Sequence, residues 1–324
     1  AARPASTFFP SDTSTLMTRV IANPVSGTRR VRRRSVRRAR TITRSTTGRG
    51  VAWTRHPGHA TILAREALRD GADTVVVVGG DGTLNEVVNG FFDAEGEVVS
   101  DAVLIPVGGG TGGDFRRTLA EMCPAHPSPV PVDVIRIAFQ GADGQLRVRY
   151  ALNVVSAGLG GIVVRNVHRM QRILRRSPVA YFAAIVWSLI CYDHDDVRVV
   201  VDGQDLGTQR LRNVAVANGR YFGGGLKIAP FANIDDGALD LVLLDDVPFS
   251  QLLRDVRAIY AGDHRSLSYL RHIRTRSVSL EPRSSKPVYL DLDGEGVGQL
   301  PATLDVLPSA MRLAPLDALT DLEA

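Results

Sequence analysis

Residues 75–90 read VVVVGGDGTLNEVVNG, and the order of residue types here decides the fold class. Four valines in a row, Val75–Val78, with no polar alternation, describe a strand buried on both faces. Gly79-Gly80-Asp81-Gly82-Thr83 then turns the chain, and Leu84–Phe92 predicts a helix directly after it. Buried strand, glycine turn and immediate helix are the unit of a parallel α/β layer. The turn also has a chemistry. Glycines without Cβ let backbone N–H groups approach a phosphate closely. The helix start adds free N–H donors and about half a positive charge. Thr83 is placed to cap that helix or to give its hydroxyl to a phosphate oxygen. Asp81 is the odd member, because a carboxylate beside phosphates is repulsive unless a cation such as Mg2+ lies between them.

The same alternation extends on either side. Arg19–Ala22 is a short strand that stops at the loop Asn23-Pro24-Val25-Ser26-Gly27. A basic helical segment, a second strand over Gly50–Thr54 and a helix over Ala60–Arg69 follow. After Gly90, Ala102–Val107 is another buried strand, Gly108–Asp114 a second glycine loop, and Phe115–Ala120 a helix. The composition changes at Cys123–Pro131, where Pro124, Pro127, Pro129 and Pro131 predict a stiff linker.

Strand signals dominate beyond that point. Val132–Phe139 and Leu146–Val155 flank the turn Gly141-Ala142-Asp143-Gly144. Val197–Val201, Leu211–Ala217, Leu239–Leu244, Val278–Leu280, Val288–Leu292 and Ala302–Val306 continue the series, with helices over Val163–Cys191 and Phe249–Tyr260. The expected fold is α/β plus β. Residues 18–130, joined by a returning 308–324, form a parallel nucleotide-binding α/β domain; residues 131–307 form a second, β-sandwich-like domain. Residues 1–17 read as a disordered extension.

Composition narrows the function classes. No apolar run approaches the roughly 18–20 residues needed to span a bilayer. Cys123 and Cys191 have no partner at metal-ligand or redox spacing, and the histidines show no paired ligand spacing, so the reading is a reduced, cytoplasmic setting. The net charge of +5 is uneven: ten arginines and no acidic residue fall between Arg29 and Arg49, leaving the rest of the chain at 5 − 10 = −5. That run suits a solvated helix face, or attraction to anionic lipid headgroups or to nucleotide phosphates. Specific nucleic-acid binding is not expected, because no aromatic residues interleave the arginines to stack on bases. Arg169–Arg176 followed by the apolar Val179–Cys191, with Tyr181, Phe182 and Trp187, reads either as a buried core helix or as a surface that meets the bilayer.

Two acidic turns stand in the second half. Asp235-Asp236-Gly237 is by itself a β-turn or a metal site. Asp291-Leu292-Asp293-Gly294-Glu295 ends a strand; alternation puts Asp291 and Asp293 on one face, with Glu295 just past the turn. Carboxylates so placed polarise an attacking hydroxyl or bind Mg2+.

Gly79–Gly90 resembles the nucleotide signature of the diacylglycerol kinase catalytic domain, shared by bacterial lipid kinases, sphingosine kinases and ceramide kinases. The resemblance runs from about Val20 to Leu313. Asn23–Gly27 is similar to the family's first ATP loop, and Thr54 with Gly58-His59-Ala60 to its second nucleotide contact. Ile105–Leu119 resembles its Pro-x-Gly-Thr-x-Asn-Asp-Phe-Ala-Arg segment, with Thr111 as the phosphate-proximal hydroxyl; Gly113 departs from the pattern where asparagine is usual. The resemblance implies an ATP- and Mg2+-dependent lipid kinase that phosphorylates a lipid alcohol at a membrane surface. Asn23, Pro24, Ser26, Gly27, Thr54, Gly79, Gly80, Asp81, Gly82, Thr83, Leu84, Asn85 and Thr111 would hold the nucleotide. Asp236 would hold a structural Mg2+ with carbonyls near Asn233 and Ala238, and Glu295 or Asp293 would be the general base. A cytoplasmic protein peripheral to the membrane is expected, and a homodimer is compatible with the reading. Two rivals are a small-molecule kinase of the NAD kinase kind, which resembles the chain at Gly79–Thr83 alone, and a non-catalytic lipid- or nucleotide-binding protein of the same fold. Asp81, Thr111, Asp236 and Glu295 argue against the second.

Overall fold

The computed structural model describes residues 17–27, 29–45, 50–108, 113–122, 128–141, 143–174, 187–188 and 191–314. Four short strands, β1 (Thr18–Ala22), β2 (Ala52–Trp53), β3 (Thr74–Gly79) and β4 (Val103–Gly108), pair in parallel in the order β2-β1-β3-β4. The four valines of β3 divide by parity, as a pleated strand requires. Val76 and Val78 pack with Val20, Ile105 and Val107 under Ala39 and Ile42 of α1 (Arg29–Ser45). Val75 and Val77 face the other way, against α2 (His59–Arg69), α3 (Asp81–Val88) and α4 (Asp114–Met122). All four valines are at most 2% exposed, so each face of β3 has its own apolar layer.

The remaining strands are β5 (Val130–Gln140), β6 (Leu146–Ala151), β7 (Val154–Gly158), β8 (Asp195–Val201), β9 (Gln204–Ala217), β10 (Leu239–Asp245), β11 (Leu270–Thr275), β12 (Ser277–Pro282), β13 (Tyr289–Leu292) and β14 (Glu295–Leu313). Their pairings are antiparallel except at one point. The far end of β14 runs alongside β4 in parallel, Arg312 with Val103 and Leu313 with Leu104, and covers the edge that β4 would leave open. Aliphatic residues of β5, β7–β10 and β12–β14 close on one another in a sandwich core. Among the described residues, two helices lie outside it: α5 (Leu159–Leu174) on β7 and β13, and α6 (Phe249–Ala261), whose Leu252 shares a core cluster with Ala215 and Val242.

Several elements differ from the sequence expectations. Helix α3 begins at Asp81 rather than Leu84, so the acidic residue belongs to the first helical turn. The single strand expected over Leu146–Val155 is two. Asn218 breaks it: its Nδ2 donates to Leu152 O (2.9 Å) and its backbone N–H to Asn153 O (2.8 Å), leading the chain from β5 toward β9. Strand β11 went unrecognised because Arg271, His272 and Arg274 interrupt its apolar residues. Strand β14 is far longer than Ala302–Val306, since Gly296, Gly298, Pro301 and Pro308 mask it in sequence. Register shifts at Gln299/Ala302 and Leu307/Met311 absorb the irregularity. Pro131 lies inside β5, not in a linker, while residues 123–127 lie outside the described residues. Met17, expected to be disordered, is tied to Asp73, whose N–H donates to Met17 O (3.0 Å); residues 1–16 lie outside the described set. Of the expected return, residues 308–313 belong to β14 and Ala314 N donates to Leu104 O (3.1 Å); 315–324 are not described. The helix expected over Val163–Cys191 begins at Leu159, and most of its apolar half lies outside the described residues. Among the described residues, no helix is long and apolar enough to cross a membrane.

Candidate active site

The loops at the carboxyl ends of β1, β2, β3 and β4 converge, as binding loops of parallel sheets do. At the centre is the open start of α3. Gly80 is its N-cap, extended at φ −90° and ψ −177°, with no side chain capping the first turn. Thr83 does not fill that role. Its side chain lies over Gly79, where a Cβ would meet it at 2.6 Å, and its Oγ1 accepts from Asn23 Nδ2 at 3.0 Å. Asn23 ties the first loop together. Its backbone N–H donates to Val78 O (3.0 Å), its Oδ1 accepts from Val25 N (3.0 Å), and its carbonyl accepts from Ser26 N (3.4 Å) around Pro24. Gly27 follows at φ +73°, a conformation that favours glycine. Thr54 N donates to Ala22 O (3.0 Å), which sets Thr54 beside Asn23.

Asp81 is latched to the second glycine loop: its Oδ2 accepts from Gly113 N at 2.8 Å. Gly113 has φ +70°, a left-handed conformation that favours glycine and that asparagine, usual here in the resembled pattern, tolerates better than most residues. Gly79, Gly80, Asp81, Leu84, Gly108 and Gly113 line a small cleft. Thr111 lies outside the described residues. The amides of Gly58 and Ala60, expected beside the nucleotide, are instead taken by Glu86, whose carboxylate accepts from both at 2.8 and 3.0 Å.

The acidic turn is a tight hairpin. Asp293 (φ +50°) and Gly294 (φ +87°) form a two-residue connection between Leu292 and Glu295, the pattern favoured by Asp-Gly. Asp293 is therefore a turn residue and not a strand partner of Asp291, because the chain leaves β13 at Leu292. Its Oδ1 accepts from Val154 N and its Oδ2 from Asn85 Nδ2, both at 3.0 Å. Asn85 belongs to the glycine-turn stretch, and it also donates to Tyr150 O (2.9 Å). Asn89, one helical turn on, adds two bonds to Tyr150: its Nδ2 donates to the carbonyl and its Oδ1 accepts from the amide. Glu295 touches the turn itself: its Oε1 occupies the space that a Cβ on Gly82 would need. The phosphate-type turn and the acidic hairpin, more than 200 residues apart, thus share one site.

Its electrostatics favour protonated or cation-bound carboxylates. Burial pushes Asp293 up to about 7, and the charge of Asp81 adds to this against the bonds from Val154 and Asn85. Burial, then the charge of Glu86, raises Glu295. Asp291 is fully enclosed and accepts from Ser156 Oγ (3.5 Å); burial and the Asp293 charge push it well above the carboxylate range. Asp114, at the start of α4, is raised by burial and accepts from Gly224 N (2.8 Å).

Asp236 lies in a separate cluster. Its Oδ1 accepts from Ala238 N (3.1 Å), and its Oδ2 pairs with Arg274 at 2.8 Å. Asp133 alongside accepts from Gly237 N and Ser309 N, each at 2.7 Å. Burial and the charge of Asp236 raise Asp240 to about 6. Asn233 and Ala238 flank Asp236 on the same turn. Sequence reasoning missed Glu86, Asn89 and Asp114; the Asn85/Asn89 spacing on one helix face was the available signal for Asn89.

Residues 17–143 match the diacylglycerol kinase catalytic domain, and residues 153–315 match the YegS C-terminal NAD kinase beta sandwich-like domain. A diacylglycerol kinase of Staphylococcus carnosus is 30% identical over 77% of this chain and 78% of its own length. One from Staphylococcus haemolyticus is 30% identical over 88% and 83%. In fold, the chain is similar to a crystal structure of a diacylglycerol kinase from Bacillus anthracis (TM-score 0.63, 20% identity, 92% of this chain and 96% of that one). Two consecutive domain matches and relatives aligned over most of their length agree with the site's two halves: the chain belongs to the diacylglycerol kinase catalytic-domain family.

Proposed function

We propose that the chain is an ATP-dependent lipid kinase that transfers the γ-phosphoryl group to a lipid hydroxyl. The observation that carries this reading is the contact of Glu295 with Gly82, which brings a proton acceptor to the turn that would hold the phosphates. Phosphoryl transfer asks for positioning, charge stabilisation and a group to take the alcohol proton. Residues 18–130 with the returning end of β14 would carry the nucleotide: Asn23, Pro24, Ser26, Gly27 and Thr54 on one side, Gly79–Asn85 beneath, and Thr111 on the other. Residues 131–307 would carry the lipid. The lipid oxygen attacks the γ-phosphorus, the bond to the β-bridging oxygen breaks, ADP leaves, and the hydroxyl proton passes to Asp293 or Glu295.

Mg2+ fits the donor set. Asp81 and Asp293 carry charges close enough to raise neighbouring carboxylates, which favours a cation there, and Asp81 lines the cleft that would take the phosphates. Asp236, with carbonyls near Asn233 and Ala238, is the second candidate; Arg274 now offsets its charge and would have to yield. When bound, Mg2+ would neutralise phosphate charge.

Helix α1 presents Arg33, Arg34, Arg37, Arg38, Arg40 and Arg44 to solvent with no acidic residue among them. That face supports peripheral contact with an anionic cytoplasmic membrane, at about 1 kcal/mol per arginine reaching the surface. Sedimentation with anionic and neutral vesicles tests it; equal binding to both counts against it.

The function is tested by transfer of labelled γ-phosphate from ATP to lipid alcohols in mixed micelles, diacylglycerol first because relatives bear that name. A labelled lipid supports the reading. Labelling of NAD in place of every lipid overturns it.

A further inference from the structure

Arg116 occupies the third position of α4, directly after the second glycine loop. Its side chain folds back over Gly108 at the end of β4, so closely that a Cβ there would overlap the guanidinium. It lines the same cleft as Gly79, Gly80, Asp81 and Gly113. Its neighbour Arg117 is bonded to Asp114 (3.3 Å), but no carboxylate or carbonyl among the described residues engages Arg116. A guanidinium with no counter-ion among the described residues thus stands in a glycine cleft beside the start of α3. Both features attract an anion, and a planar fork of N–H donors matches phosphate oxygens. The pattern that Ile105–Leu119 resembles has asparagine at position 113 and alanine at 116; this chain has lost a side-chain donor at the first and gained one at the second.

We propose that Arg116 is a phosphate-binding residue of the nucleotide site. Its guanidinium donates to non-bridging oxygens of a nucleoside triphosphate held over Gly79–Asp81, and supplies from α4 the donor that Gly113 lacks. This rests on the reading of the α3 start as the phosphate site.

The test is calorimetric binding of MgATP and of adenosine to the wild-type chain, Arg116→Gln and Arg116→Lys. Arg116→Gln is expected to weaken MgATP about 10- to 100-fold, the range of a charge-assisted hydrogen bond, with adenosine unchanged; Arg116→Lys recovers part of the loss. Gly108→Ala, which displaces the guanidinium, is expected to weaken MgATP in the wild-type chain and to add little in the Arg116→Gln chain. MgATP affinity within twofold of wild type in Arg116→Gln overturns the proposal. So does an equal loss for adenosine, which marks general damage to the cleft. A wild-type chain that binds MgATP no more tightly than adenosine removes the phosphate site itself, and Arg116 with it.

Discussion

Helices α2 and α3 lie on the same face of the parallel strands, yet their N-termini are opposite in kind. The start of α2 is closed: Glu86 accepts from Gly58 N and Ala60 N at 2.8 and 3.0 Å. The start of α3 is open: among the described residues no side chain accepts from its first amides. The carboxylate that closes α2 comes from α3 itself, five residues after Asp81. An uncapped helix start leaves its first N–H groups for water or an external acceptor, and under the proposed function that acceptor is the phosphate chain. The difference also separates two resemblances. The chain resembles nucleotide contacts at both places, but among the described residues a side-chain acceptor engages the first amides of α2 and none engages those of α3.

Changing each end in turn tests this contrast. The largest effect is expected at the open end from Asp81→Asn, which keeps an acceptor for Gly113 N and removes the charge that would meet a cation. Transfer should fall about 10³-fold while thermal stability holds. Turnover near wild type would take Asp81 out of the chemistry. Next comes closure of the open end. Gly80 sits at φ −90°, which any residue adopts, so Gly80→Asp places a capping carboxylate where the phosphates would lie. MgATP binding should weaken about 10- to 100-fold with melting temperature unchanged or higher. Undiminished binding, measured by calorimetry, would mean the phosphates sit elsewhere. The smallest effect is expected from opening the closed end. Glu86→Ala strips two amides of their acceptor and should lower stability by about 1–3 kcal/mol in denaturant titration, with MgATP affinity changed less than about threefold. A large loss of affinity there would make α2 the nucleotide contact and erase the contrast.

What was legible in the sequence follows the range of each interaction. The β3–α3 junction was readable because valine run, glycines and helix are contiguous. The first residue of the helix was not, since Asp81 and Gly82 read equally well as a turn. Thr83 reads in sequence as a cap or as a phosphate-facing hydroxyl; its partner Asn23 is 60 residues away and no local pattern announces it. The acidic hairpin was visible as an acidic segment. Alternation nevertheless misplaced Asp293, because both turn residues adopt positive φ and leave the pleat. The contact of Glu295 with Gly82 joins distant segments, held together by the bonds of Asn85 to Asp293 and to the Tyr150 carbonyl, which no local pattern announces. The return of the chain to β4 was expected from residue 308 on; what the glycines and prolines of β14 concealed was that it belongs to one long strand starting at Glu295. The Asp236 turn was ambiguous in sequence, and its Arg274 pairing arises from strand β11, which the sequence did not reveal.

The central claim is that a carboxylate of the hairpin takes the proton of a lipid hydroxyl while the nucleotide rests at the open start of α3. Its most direct measurement is labelled γ-phosphate transfer from saturating ATP to a dispersed lipid alcohol, across pH 5–9 (about the accessible range), for the wild-type chain, Asp293→Asn and Glu295→Gln, with MgATP affinity measured alongside. A base must be unprotonated to act, and burial holds Asp293 at about 7. Wild-type kcat/KM should therefore climb with pH through about 7 and then level. The variant that removes the base should lose about 10²- to 10⁴-fold in kcat and lose that climb, while binding MgATP nearly as well as wild type. Full turnover in both variants, or a wild-type profile flat from pH 5 to 9, would contradict the account.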